Sequence, residues 1–176
     1  MIDQTVINKA KKGDRVAFKL LYDNFKTRWY MICLRYMSNR MDADDALQNA
    51  LVNIFSKINQ FDTKKGDFGA WSSRIVVNDC IMLIRKHNKR INDVQVEDDW
   101  NIHDDKETAL EALSRKELME LIQKLPDGYR LVFNMYVIEG YSHQEIADKL
   151  GVSVGTSKSQ LFKAKKMLKQ ALEILI

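Results

Sequence analysis

Between Ser142 and Lys169 the chain leaves itself little freedom of fold. Ser142 and Glu145 have the spacing of a capping box, in which each side chain satisfies a free backbone N–H of the other's turn, and this predicts a helix from His143. Ile146, Ala147 and Leu150 give that helix one apolar face. Gly151 suits the left-handed position after its end, and Ser153 can cap the next helix. So few residues between two helices permit only a tight, angled turn. From Val154 to Lys169 the only charged residues are Lys158, Lys163, Lys165, Lys166 and Lys169. A short helix, a glycine turn and a basic second helix are the parts of a major-groove reader. A helical hairpin whose lysines only solvate an exposed face has the same parts.

The rest of the chain also reads as helix. Phe18, Leu21, Tyr22, Phe25, Trp29, Ile32, Cys33 and Tyr36 recur at steps of three and four, predicting one long amphipathic helix capped by Asp14. Leu47, Ala50, Leu51, Ile54, Phe55 and Ile58 repeat the pattern in a second helix opened by Asp42. Asn59 to Asp67, with Gly66, breaks the period and reads as a loop. A third helix is expected from Phe68 to Arg90, with Trp71, Ile75 and Met82 on one side, and a short N-terminal helix carries Val6, Ile7 and Ala10. Further on, a helix from Thr108 to Lys124 should stop at Leu125-Pro126, because proline disfavours helix at the residue before it. Another runs from there to Glu139, ended by Gly140. One proline, seven glycines and little β-branched alternation make the fold all-α.

Charge divides the chain. Residues 91–107 hold seven acids against Lys106 alone, a net −6, whereas residues 1–90 carry +8 and residues 108–176 carry +2. The acidic stretch has little hydrophobic period and cannot bury enough apolar surface to order itself, so it reads as a linker between two basic helical blocks. Basic blocks favour a polyanionic partner. No long apolar run and no basic-then-apolar leader is present, so neither membrane insertion nor export is expected. Cys33 and Cys80 lie within helical patterns and read as buried thiols of a reducing compartment.

Two constellations stand out. Asp42, Asp44 and Asp45 fall in the first turn of a helix, where acids complement the helix dipole. Asp45, Gln48 and Asn49 share a polar face, which suits docking to a basic partner. A divalent-metal site is less favoured, since no histidine or remote acid completes it. In the second constellation Arg74, Asn78 and Arg85 lie on one side of a helix, and the preceding loop adds Phe61, Lys64 and Lys65. Aromatic and basic groups around a loop suit unstacked bases, although Phe68 and above all Trp71 read equally as core. His87, His103 and His143 are scattered, and neither a phosphate-cradling glycine loop nor a catalytic constellation is evident.

With these residues in view, the chain resembles bacterial RNA polymerase sigma factors of the extracytoplasmic-function (ECF) group, over essentially its whole length. The resemblance is carried by Asp42-Ala-Asp-Asp-Ala-Leu-Gln, Phe68-x-x-Trp-x-x-x-Ile-x-x-Asn and Leu83-Ile-Arg in the first block. In the second it is carried by Leu125-Pro-x-x-Tyr-Arg, Glu139-Gly-Tyr-Ser-x-x-Glu-Ile-Ala and Gly155-Thr-Ser-Lys-Ser-Gln-Leu-Phe-Lys-Ala-Lys. It implies a four-helix sigma-two domain at 1–90, binding polymerase core and the minus-ten promoter element. It also implies a flexible linker at 91–107 and a helix-turn-helix sigma-four domain at 108–176, binding the minus-thirty-five element and the β flap.

By the family pattern Asp42, Asp45, Gln48 and Asn49 would face the β′ coiled coil. The loop from Phe61 to Asp67, with Asn78, would capture an extruded base, and the linker would thread the path of nascent RNA. Lys158, Ser159, Gln160, Phe162 and Lys163 would form the recognition surface. The family often has valine at Ser157, arginine at Gln160 and arginines where Lys163, Lys165 and Lys166 stand, and lysine cannot make arginine's bidentate fork to guanine. The expectation is a cytoplasmic sigma factor without enzymatic activity, cofactor, metal or small-molecule substrate. Its partners would be polymerase core, promoter DNA and an anti-sigma factor. A stand-alone helix-turn-helix regulator and a metal-dependent nucleic-acid enzyme using Asp42, Asp44 and Asp45 are the alternatives.

Overall fold

The computed structural model describes residues 3–87 and 115–175, and among these residues every regular element is helical. The chain forms two compact units, Met1–Leu83 and Ile84–Ile176. The elements are α1 (Gln4–Lys11), α2 (Arg15–Tyr36), α3 (Arg40–Ser56) and α4 (Phe68–His87), then α5 (Arg115–Lys124), α6 (Asp127–Phe133), α7 (His143–Leu150) and α8 (Val154–Leu175). The acidic stretch 91–107 and the start of the helix expected from Thr108 lie outside the described residues.

In the first unit α2 packs against α1 and α3. Asp14 caps α2 as expected, accepting from the N–H groups of Val16 and Ala17. Helix α3 starts two residues before Asp42 because Asn39 is its cap: the Asn39 side chain accepts from the Asp42 N–H at 2.9 Å and donates to the Asp42 carboxylate at 2.8 Å. The buried seam of α3 is Ala43, Ala46, Ala50 and Ile54, with Leu47 and Leu51 only half-buried. Small side chains there let α2 and α3 approach closely. Between α3 and α4 the expected loop contains two short 3₁₀ turns, Ile58–Gln60 and Thr63–Lys65. In α4 the inward side carries Ser72, Val76, Val77, Cys80 and Ile84, while Met82, expected beside Trp71 and Ile75, is 62% exposed.

Aromatic rings join these parts. Phe55 of α3 meets Phe18 of α2 at 4.8 Å between centroids, and Phe25 of α2 lies between Trp29 at 5.6 Å and Phe68 of α4 at 5.4 Å. The fully buried Trp29 indole donates to Ser72 Oγ on α4 at 3.0 Å. Nearby, the free thiols Cys33 and Cys80 are in contact at 4.0 Å, and this contact, with burial, pushes the Cys80 thiol well above its ordinary pKa.

The second unit packs α6 and α7 on α8. Pro126 stands immediately before α6, and the capping box of α7 forms, with Glu145 accepting from the Ser142 N–H at 2.8 Å and Ser142 Oγ accepting from the Glu145 N–H at 3.2 Å. Gly151 takes the left-handed conformation at φ 71°, and Ser153 accepts from the Thr156 N–H at 2.9 Å. The helix expected to run to Glu139 instead widens into a π-helical turn over Asn134–Ile138. Arg130 is buried, and its guanidinium donates to the carbonyl oxygens of Gln123 at 3.2 Å and Leu125 at 2.7 Å while pairing with Asp127. It thus satisfies carbonyls that the end of α5 leaves open.

Gly69 tests the α2–α4 fit. An added Cβ would lie 2.9 Å from Phe25 Cε1, 2.9 Å from the Asp67 carboxylate and 3.0 Å from the Arg28 guanidinium. Phe25 is wedged between two rings, and Asp67 caps α4 through the Ala70 N–H at 3.0 Å, so neither yields freely. Gly69→Ala in a helix would ordinarily gain up to about 1 kcal/mol. Overpacking of about 1–3 kcal/mol opposes that gain. A net loss of stability is expected, read as a lower denaturation midpoint in urea.

Candidate nucleic-acid interface

The exposed side of α4 follows from its buried one. With Ser72, Val76 and Cys80 turned inward, Arg74, Asn78, Met82 and Arg85 are exposed along the opposite side, and Lys86 is exposed near the helix end. Lys64 and Lys65 are exposed on the second 3₁₀ turn, just before α4 begins. Of the expected minus-ten set, Lys64, Lys65, Arg74, Asn78 and Arg85 therefore lie at the surface.

Phe61 does not. Its ring is 3% exposed, packed 5.4 Å from Phe68 and 5.4 Å from Trp71. Lys11 of α1 covers it, with Nζ 5.8 Å from the ring centroid and donating to the Phe61 carbonyl at 2.6 Å. A ring held this way has no free face for a base, so Phe61 anchors the loop from within. Burial of Phe68 and half-burial of Trp71 agree with the core reading of both. Nothing in the sequence distinguished a stacking Phe61 from a packing one, since both suit an aromatic at the mouth of a loop.

On α3, Asp42, Asp44, Asp45, Gln48 and Asn49 are all exposed, flanked on the same helix by the exposed Met41 and Val52. The Asp42 carboxylate accepts from the side-chain amide of Asn39, the residue that caps the helix, and so helps to hold that cap in place. Asp44 is bonded to Tyr30 and helps push that phenol's pKa up, after burial. Asp45, Gln48 and Asn49 remain an open polar face. Among the described residues no cluster of three or more His, Cys, Asp or Glu could hold a metal ion.

In the second unit the outward stripe of α8 is Lys158, Phe162, Lys165, Lys166 and Lys169, with Ser159 and Lys163 half-buried at its margin. Gln160, expected on this surface, is 1% exposed and packs against Gly128 of α6, where an added Cβ would sit 3.2 Å from its amide. The buried spacing Ser157, Leu161, Ala164, Leu168 already carries Gln160 inward, a signal legible in the sequence. Two side chains that the sequence reading gave no role meet here: His143 at the start of α7, whose ring reaches Ser157 of α8, and Tyr136 on the π-helical turn, which stacks on His143.

Two exposed basic helix faces in separate helical units, one of them the second helix of a helix-turn-helix, suit a polyanionic partner. Sigma-70 region 2 matches residues 21–90, and sigma-70 region 4 matches residues 115–168. The ECF RNA polymerase sigma factor SigW of Bacillus subtilis is 30% identical, covering 96% of this chain and 96% of its own length. The chain belongs to the ECF RNA polymerase sigma factors. The ECF sigma-E factor of Escherichia coli is 26% identical over 100% of this chain and 97% of its own. Among solved structures, CnrH in complex with the cytosolic domain of CnrY shares the fold at a TM-score of 0.51 and 23% identity, covering 98% of this chain and 97% of that one. The sigma factor RpoE of Bartonella quintana, in complex with the anti-sigma factor NepR, does so at 0.52 and 20% identity, covering 89% and 97%. As a sigma factor the chain directs transcription initiation by RNA polymerase. No helix among the described residues is long and apolar enough to cross a membrane.

The burial of Phe61 separates it from its loop neighbours in a measurable way. Phe61→Ala should cost about 3–5 kcal/mol of stability, the range for a core phenylalanine. Lys64→Ala should stay within about 0.5 kcal/mol of wild type. Thermal unfolding of both variants checks this; a Phe61→Ala variant as stable as the wild type would contradict the packing role.

Proposed function

We propose that the two units divide promoter recognition, with melting assigned to the first. The supporting observation is the pair of exposed basic faces, Arg74–Asn78–Arg85 on α4 and Lys158–Phe162–Lys165 on α8, on segments matched to sigma-70 regions 2 and 4. In this reading residues 1–90 bind polymerase core and the minus-ten element, 91–107 connect the two blocks, and 108–176 bind the minus-thirty-five element and the β flap. Asp45, Gln48 and Asn49 of α3 meet the β′ coiled coil, with Asp42 contributing mainly by holding the Asn39 cap through its carboxylate. The base extruded on melting enters beside Asn78, where Lys64, Lys65 and Arg74 hold the backbone. The recognition surface of α8 is Lys158, Ser159, Phe162 and Lys163.

The mechanism is recruitment rather than catalysis, and the chain has no enzymatic activity of its own. Each DNA contact is weak, and joining several contacts on one chain raises the effective concentration of the rest. The protein acts in the cytoplasm. An anti-sigma factor restrains it, a reading supported by the Bartonella quintana structural neighbour, a sigma factor held by one.

In vitro transcription with core polymerase on a library of genomic fragments tests the whole reading; absence of promoter-specific transcripts would overturn it. Two variants test its parts. Asp45→Ala with Gln48→Ala should weaken core association by at least about fivefold, or about 1 kcal/mol. The thermal midpoint should barely move, because exposed charges contribute little to stability. Normal core binding by this variant refutes the docking assignment.

Asn78→Ala with Lys64→Ala should leave core binding intact and reduce open-complex formation on duplex promoter. Unstacking a base costs a few kcal/mol, and groups that receive it matter most when the duplex is closed. A template already melted at the minus-ten element should therefore restore transcription in part. Equal loss on both templates would make the segment a structural connector.

A further inference from the structure

His143 opens α7 and has no part in the assignments above. Its ring is held on two sides. Tyr136, carried on the π-helical turn, stacks on it with centroids 4.4 Å apart and planes 23° apart. Nδ1 lies 2.9 Å from Oγ of Ser157 on α8, a hydroxyl with no exposed surface. From α8 two exposed lysines, Lys158 and Lys165, act on the ring by their charge. Facing groups are thus the Tyr136 phenol from the π-helical turn, and the Ser157 hydroxyl and two cations from α8. Burial first, and the two lysines after it, hold the imidazole below its ordinary pKa of 6.5, so the ring is neutral at pH 7.

Ser157 suits either protonation state. Its hydroxyl donates to a bare Nδ1 and accepts from a protonated one, so gaining a proton costs the ring no hydrogen bond. Burial and two like charges are what oppose protonation. A phosphate that neutralises those lysines removes the repulsion and places an anion beside the ring. We propose that the C-terminal unit binds DNA with uptake of one proton by His143, which then holds a backbone phosphate together with Lys158 and Lys165. The proposal rests on the DNA-binding reading of α8. Ser157 and Tyr136 are positioning residues in it, and His143 is the contacting one.

The bound state holds more protons than the free state, so affinity rises as pH falls. The rise spans the window from the raised pKa of the complex down to the lowered pKa of the free ring, and binding is flat above it. The test uses the full chain and a fluorescently labelled duplex of mixed sequence, since a phosphate contact needs no particular bases. Anisotropy at several salt concentrations should show binding about fivefold tighter at about pH 6 than at about pH 8.

His143→Phe combined with Ser157→Val keeps a stacked ring and removes the buried hydroxyl with its partner. This variant should bind like wild type at about pH 8 and gain nothing specific to the ring at about pH 6. Should it fold poorly, the His143 ring titrated by NMR in the wild-type chain, free and with duplex, gives the same answer as a pKa that rises on binding. An equal pH response in wild type and variant, or a ring pKa that does not rise, overturns the proposal alone. Failure to bind duplex at about pH 8 in low salt instead removes the DNA reading of α8, and the proposal with it.

Discussion

One hydrogen bond from a fully buried indole fixes what the first unit shows to solvent. Trp29 presents its N–H to Ser72, and an indole N–H left unpaired in that position would cost about 1–3 kcal/mol. Satisfying it turns Ser72 towards α2, and with Ser72 go Val76 and Cys80, one and two turns on. The opposite side then carries Arg74, Asn78 and Met82 without further specification. Gly69 lies one turn earlier on α4 and removes the Cβ that would hold Phe25 away. The polar face proposed to meet DNA is therefore set by packing that never touches DNA.

The loop before α4 depends on the same core. Phe61 joins Phe68 and Trp71 below it, while Lys11 caps its carbonyl and lies over its ring. Helix α1, too short to be stable alone, thus holds down the segment that carries Lys64 and Lys65. Under the proposed role in melting, such a loop gains from being anchored beforehand, because ordering it then would add an entropic cost to the cost of unstacking.

What the sequence made legible was the local chemistry. The capping box of Ser142 and Glu145, the left-handed Gly151 and the Asp14 cap each involve groups within a few residues, and each forms as read. The misreadings have two sources. Asn39 and Asp42 compete for the same helix start, and the acid is the more conspicuous of the two although the amide makes the cap. Phe61 and Gln160 have side chains that suit nucleic acid and are claimed by distant partners, Trp71 in one case and Gly128 in the other. Likewise Met82 fits an inward pattern until Ser72 sets the rotation of its helix. The π-helical turn over Asn134–Ile138, which brings Tyr136 onto His143, has no recognisable signature in single-residue propensities.

Burial of Gln160 changes what α8 can do. An exposed glutamine can pair bidentately with adenine, and its removal leaves the outward stripe with lysines, one phenylalanine and the margin residue Ser159. Lysine is a point charge that neutralises phosphate well and discriminates bases less sharply than arginine's planar fork. Phe162 offers apolar contact to a thymine methyl, one of the few base marks such a side chain can read. Under the proposed division, α8 therefore supplies affinity that is mostly electrostatic and salt-dependent, and base discrimination falls more heavily on the Asn78 side of the first unit. An affinity built on phosphates is also the kind that a nearby titrating imidazole can modulate, since burial holds His143 neutral first and the lysine charges that add to it are ones DNA would neutralise.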